Sequence, residues 1–247
     1  MAPDDALSGR VVLVTGGTSG VGRAVALRLA RAGADVAVHG GEGVDAELVA
    51  NEAHHLGVRA VAVMGDVVEP GACDDIVASV RDRLGPVDVL VHCVGIRPHQ
   101  AVVDMSVDEW RRVIDTNCSS FFYLSKLLLP SMIDRGFGRL VAVSVAVGDR
   151  ARIRHASVAA ARSALSELVK CIAVENGPSG VTANIVSQAI DETAQPAVLA
   201  TEVLEELLAI PRPALLDEIA AACAYLVSPS GAYITGHTLH VDGGYTI

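Results

Sequence analysis

Residues 10–23 read RVVLVTGGTSGVGR, and the fold turns on them. Val11 to Thr15 form a short β-branched, apolar run of the kind that makes a strand buried on both faces. Gly16, Gly20 and Gly22 follow at once in a TGxxxGxG arrangement, and residues 21–32 then carry Ala, Leu and Val at helical spacing. Glycines let the backbone turn sharply, approach a pyrophosphate and pack helix on strand, while the helix N-terminus faces the negative charge. Three glycines alone are a weak signal. Placed between a strand and an amphipathic helix, they predict a phosphate cradle built by Gly16, Ser19, Gly20, Val21 and Gly22.

Outward from this turn the same alternation repeats. Strand-like runs fall at 10–15, 35–39, 60–64, 87–92, 138–144, 181–187 and 238–241. Helical patterns fall at 21–32, 44–56, 71–84, 107–134, 156–176 and 214–227. The expected fold is α/β: a doubly wound parallel sheet of about seven strands, flanked by helices, with its ligand at the carboxyl ends of the strands. No repeat or linker divides the chain, so one domain is expected over 1–247, with a tail at 1–8 and a substrate-loop region at 188–212.

Composition narrows the partners. A formal net charge of −10 argues against a nucleic-acid binder, which needs a basic face to displace counterions. No apolar stretch approaches the ~20 residues of a membrane helix, and the acidic start MAPDDALSGR lacks a signal-peptide pattern. The five cysteines form no CxxC pair, and no His/Cys/Asp cluster has metal spacing. A cytoplasmic protein without a metal, acting on a small molecule, is the expectation.

Several further motifs, in order, resemble the short-chain dehydrogenase/reductase family over essentially the whole chain. MGDV (64–67) is similar to the family's adenine contact, implying roles for Asp66 and Val67. VHCVG (91–95), ending at Gly95, is similar to its NNAG, and DTNCSS (115–120) carries its helix-four asparagine as Asn117. EIAAACAYLVSPSGAYITGHTLHVDGG (218–244) resembles its last helix and strand. The resemblance implies a Rossmann-type fold, NAD(P) as cofactor, Thr193 reaching the nicotinamide amide, and a homotetramer or homodimer.

The same resemblance exposes what differs. The family's catalytic serine falls on Val145, its tyrosine thirteen residues later on Val158, and its lysine four further on Arg162. Valine neither donates a proton nor accepts a hydrogen bond, and positioned acid–base catalysis contributes about 10²–10⁴-fold. Gly40 and Gly41 stand where members select between the cofactor's ribose forms, leaving only His39 or Arg23 to lean in. Gln188 and Ala189 replace a Pro-Gly pair. Cofactor binding is therefore expected to be weakened or vestigial.

The segment GDRARIRHAS (148–157) brings charge to the presumed pocket mouth, and the expected catalytic set is Asn117, Asp149, His155 and Arg162. A cationic pocket of this kind suits an acidic or polyphenolic substrate. The first expectation for function is a biosynthetic enzyme catalysing a non-redox step such as cyclisation, isomerisation or elimination. The alternatives are an NAD(P)H-dependent ketoreductase with a relocated or solvent proton donor, and a silent subunit in a hetero-oligomer with an active relative.

Overall fold

The β-branched runs pair as seven parallel strands in the computed structural model, which describes residues 5–41, 44–146 and 152–247. The strands are β1 (Val11–Thr15), β2 (Asp35–Gly40), β3 (Ala60–Met64), β4 (Val89–His92), β5 (Gly138–Val145), β6 (Val181–Gln188) and β7 (Thr238–Val241). Their order is β3-β2-β1-β4-β5-β6-β7, so the winding reverses between β1 and β4, where a doubly wound sheet opens a crevice at its carboxyl edge.

Alternation along each strand sorts the core into two layers. Val12 and Val14 of β1 face α1 (Gly20–Arg31), α2 (Val44–His54) and α8 (Leu216–Val227). Val11 and Leu13 face α3 (Pro70–Arg83), α5 (Ser120–Asp134) and α6 (Ala156–Asn176). Fully buried Phe121, Leu124 and Met132 anchor α5 to the second layer, each contributing roughly 1.5–3 kcal/mol of burial.

Three details depart from the sequence reading. The helical pattern at 107–134 is broken into α4 (Val107–Ile114), a π-helical turn at Asp115–Ser119, and α5. The region 188–212 contains a short helix, α7 (Thr201–Leu207), whose seven residues are too few for a clear period. Leu7, within the expected tail, is buried in the first layer, with its N–H donating to Ala32 O. Among the described residues no helix is long and apolar enough to cross a membrane.

Candidate functional site

The glycine turn ends in a helix N-terminus open to an anion. Ser19, the exposed N-cap of α1, makes no side-chain capping bond, and the first turn holds no acidic residue. The orphan N–H groups and the positive end of the helix dipole are thus left for a ligand. A Cβ on Gly22 would lie 2.0 Å from Gly16 O, and Gly20 sits at φ +49° with nothing within 4 Å of where its Cβ would be. Close packing needs the first glycine, and left-handed backbone favours the second. These features fit a dinucleotide's pyrophosphate, with Val21 walling the inner side of the turn.

His39 braces this turn from behind. Its Nε2–H donates to Gly65 O (2.9 Å), so Nδ1 accepts from the Gly16 N–H (3.4 Å), while Gly17 N–H donates to His39 O. Burial lowers its pKa and keeps it neutral. His39 does not lean out toward a ribose, and Arg23 is paired with Glu52. Asp66 is exposed, its Oδ1 accepting from Val68 N–H, and Val67 is buried beside it.

Two openings lie at the carboxyl ends of the strands. The inner one is a recess of about 90 Å³ among Val21, Cys93, Gly95, Asn117, Val145 and Gln188. The outer one is a cleft of about 560 Å³ bordered by Arg152, His155, Asp191, Thr193 and Tyr245, with Ile190, Val198 and Leu207 as apolar wall. Arg97 and Val145 line both, so the recess and the cleft share a wall.

The structure separates the three expected catalytic residues that it describes. Asn117 lies at the inner recess, its side chain spent on the backbone: Oδ1 accepts from Ile96 N–H (2.8 Å) and Nδ2 donates to Ile96 O (2.9 Å). That clamp holds the loop after β4 against the π turn that carries Asn117. His155 lies at the cleft; its Nδ1–H donates to Ile153 O (2.9 Å) and its ring meets His99 edge-on at 5.0 Å. Arg162 lines neither opening: it is 7% exposed, and its Nη2 donates to Ser187 Oγ (3.1 Å) beneath β6. Asp149 lies outside the described residues.

Val158 is 1% exposed and shares an apolar cluster with Val113, Ala161, Ile96 and Val145. Thr193 borders the cleft, but its hydroxyl donates to the Asp191 carboxylate. Arg152 stacks over Tyr245 at 4.4 Å, a C-terminal contact that sequence spacing could not reveal. His92, the last residue of β4, is a buried strut: Thr15 Oγ1–H donates to Nδ1 (2.7 Å) and Nε2–H donates to Ser120 Oγ (3.0 Å). Burial pushes its pKa down to about 3, so it is neutral. Burial also raises the Cys93 thiol well above its usual range, which leaves it protonated and unreactive.

Gln188, a polar residue at a strand end by sequence, stands outside the expected catalytic set but lines the recess. It is 7% exposed, and its Oε1 has no hydrogen-bond partner among the described residues. A polar side chain at the carboxyl end of an otherwise buried strand, where a Pro-Gly pair is expected, is the signal that could have flagged it.

Comparison with known proteins places these features in a lineage. The family described as Enoyl-(Acyl carrier protein) reductase matches residues 16–246. The chain is 35% identical to the 3-oxoacyl-acyl-carrier-protein reductase FabG of Escherichia coli strain K12, covering 96% of this chain and 97% of that one. It is 32% identical to the acetoacetyl-CoA reductase of Allochromatium vinosum, over 95% and 98% of the two chains. A crystal structure of 3-oxoacyl-acyl-carrier-protein reductase from Brucella melitensis superposes with a TM-score of 0.90, covering 100% of this chain and 97% of that one at 29% identity. Relatives matched from end to end are named reductases, which overturns the expectation of a non-redox reaction. Loss of three side chains had been weighed there as loss of the reaction class, whereas the rest of the chain keeps the reductase pattern. The chain belongs to the short-chain dehydrogenase/reductase family.

Proposed function

We propose that this protein is an NAD(P)H-dependent ketoreductase that works without its family's serine, tyrosine and lysine. The observation that carries the reading is the similarity to named reductases across nearly the whole chain. When bound, the nicotinamide cofactor supplies the hydride, and proximity and orientation supply much of the rate. The free N–H groups of α1 hold its pyrophosphate, Asp66 and Val67 its adenine, and Gly95 and Thr193 its nicotinamide end. Gly40 and Gly41 offer the ribose no side chain, so the grip is looser than the family's and indifferent to a 2′-phosphate.

The substrate is a ketone with an anionic group. Arg97 and Arg152 draw the charge to the cleft, and Ile190, Val198 and Leu207 take its apolar part. His155 holds the proton: with Nδ1 committed to Ile153 O, Nε2 is the atom left to pass it to the newly formed alkoxide. In this reading Asn117 shapes the loop after β4 and Arg162 braces β6, neither acting as an acid. One domain acts in a homo-oligomer.

Calorimetric titration with NADPH and NADH, followed by NADPH oxidation in the presence of acetoacetyl-CoA, tests the reading. Saturable heat with both cofactors and substrate-dependent oxidation are expected. A flat trace at millimolar cofactor, with no oxidation, overturns it. His155→Ala is expected to lower kcat about 100-fold at neutral pH while leaving the calorimetric Kd for NADPH unchanged.

A further inference from the structure

Val145 and Gln188 are register partners, the last pair of β5 and β6, and both line the inner recess. One is a valine where the family resemblance implies a hydrogen-bond donor; the other is a buried carboxamide. Gln188's backbone is accounted for, its C=O accepting from Ala146 N–H. Its side chain is not: Oε1 is shut away from solvent without a partner among the described residues, and Gln188 is one of the residues that line the recess. Leaving a buried acceptor unpaired costs stability, and such costs persist where a site uses the group. A carboxamide with an unspent N–H₂ at the wall of a small opening can donate to a carbonyl-type oxygen.

We propose that Gln188 binds the oxygen of the ketone being reduced, its side-chain N–H donating to that oxygen in place of residue 145. As hydride adds to the carbonyl carbon, charge builds on this oxygen, and a preorganised N–H stabilises it before the proton arrives. Ser144 also lines the recess, which wraps round the end of β5, but its neighbour across the register is Ser187 and not Gln188. The proposal rests on the ketoreductase reading above.

The test uses the intact chain with NADPH and acetoacetyl-CoA, comparing wild type, Gln188→Leu, Ser144→Ala and the double variant Gln188→Leu/Val145→Ser. Gln188→Leu is expected to lower kcat about 100-fold, the effect of removing one such donor. Its Kd for NADPH should stay unchanged, and its melting temperature should not fall, because an unpaired acceptor has been removed. Val145→Ser in that background is expected to restore at least a tenth of the lost rate, which a packing role for Gln188 would not allow. Unchanged kcat in Gln188→Leu, a loss that serine at 145 does not repair, or a loss that tracks Ser144→Ala overturns the role of Gln188 and leaves the reductase reading standing. Wild type that binds no NADPH and oxidises none overturns the reductase reading, and this one with it.

Discussion

At the scale of single residues, the two buried histidines tie stability to acidity. His92 and His39 both have folded pKa values below the ordinary value near 6.5, His92 at about 3. Between those limits the unfolded chain binds protons that the folded chain refuses, so stability falls as pH drops below about 6.5. Each such group contributes up to about 1.4 kcal/mol per pH unit. Thermal melts from pH 7 to pH 5 should show this decline, and His92→Asn, which cannot titrate, should flatten it. A decline equally steep in the variant would assign the effect elsewhere. His92 was legible as a packing residue from its place in a buried strand. Its partners Thr15 and Ser120 were not, since 77 and 28 residues separate them from it in sequence.

At the scale of elements, the glycine turn and the π turn are the two local devices on which the site depends. Gly22→Ala would set a methyl against Gly16 O and should abolish dinucleotide binding, with a loss of stability read in urea. Gly20→Ala meets open space and only its φ of +49° opposes it, so its cost should stay near 1–2 kcal/mol. Asn117→Ala would strip both partners from Ile96, costing about 1–3 kcal/mol. The strands were readable within two residues because buried parallel strands are nearly continuous apolar runs. The break at 115–119 does not show in the helical periodicity, since α4 and α5 each keep a helical pattern; it was marked only by the family resemblance at Asn117, whose side chain ties the π turn to Ile96. The candidate site was legible where backbone makes it, at Gly16 to Gly22, and illegible where long side chains choose between destinations, as Arg162 does in reaching Ser187.

At the scale of the whole molecule, stability and chemistry sit at opposite edges of the sheet. At the amino edge, Asp88 accepts from Val11 N–H (2.9 Å) and pairs with Arg10 and Arg135. Asp88 is 4% exposed, so its removal strands a backbone donor and two cations. Asp88→Ala should lower unfolding free energy by about 3 kcal/mol, measured in urea, with no change in Kd for NADPH. A change in Kd would mean that the two edges are coupled through the strands. The strand order made this division foreseeable, since the crevice opens where the winding reverses. The charge on the cleft side comes from two separate loops, Arg97 from the one after β4 and Arg152 from the one before α6, which line one cleft only once folded.

The apolar contact between positions 145 and 158 bears on descent. Val158 is sealed among Val113, Ala161, Ile96 and Val145, so a tyrosine introduced there alone would overfill the cluster, at about 1–3 kcal/mol. A serine at 145 alone would face a valine. Enlarging position 158 is penalised until a neighbour in the cluster shrinks, so such a change needs two coordinated steps. A chain that has packed this corner with valines is thereby held to small side chains at 158 unless its neighbours change with it.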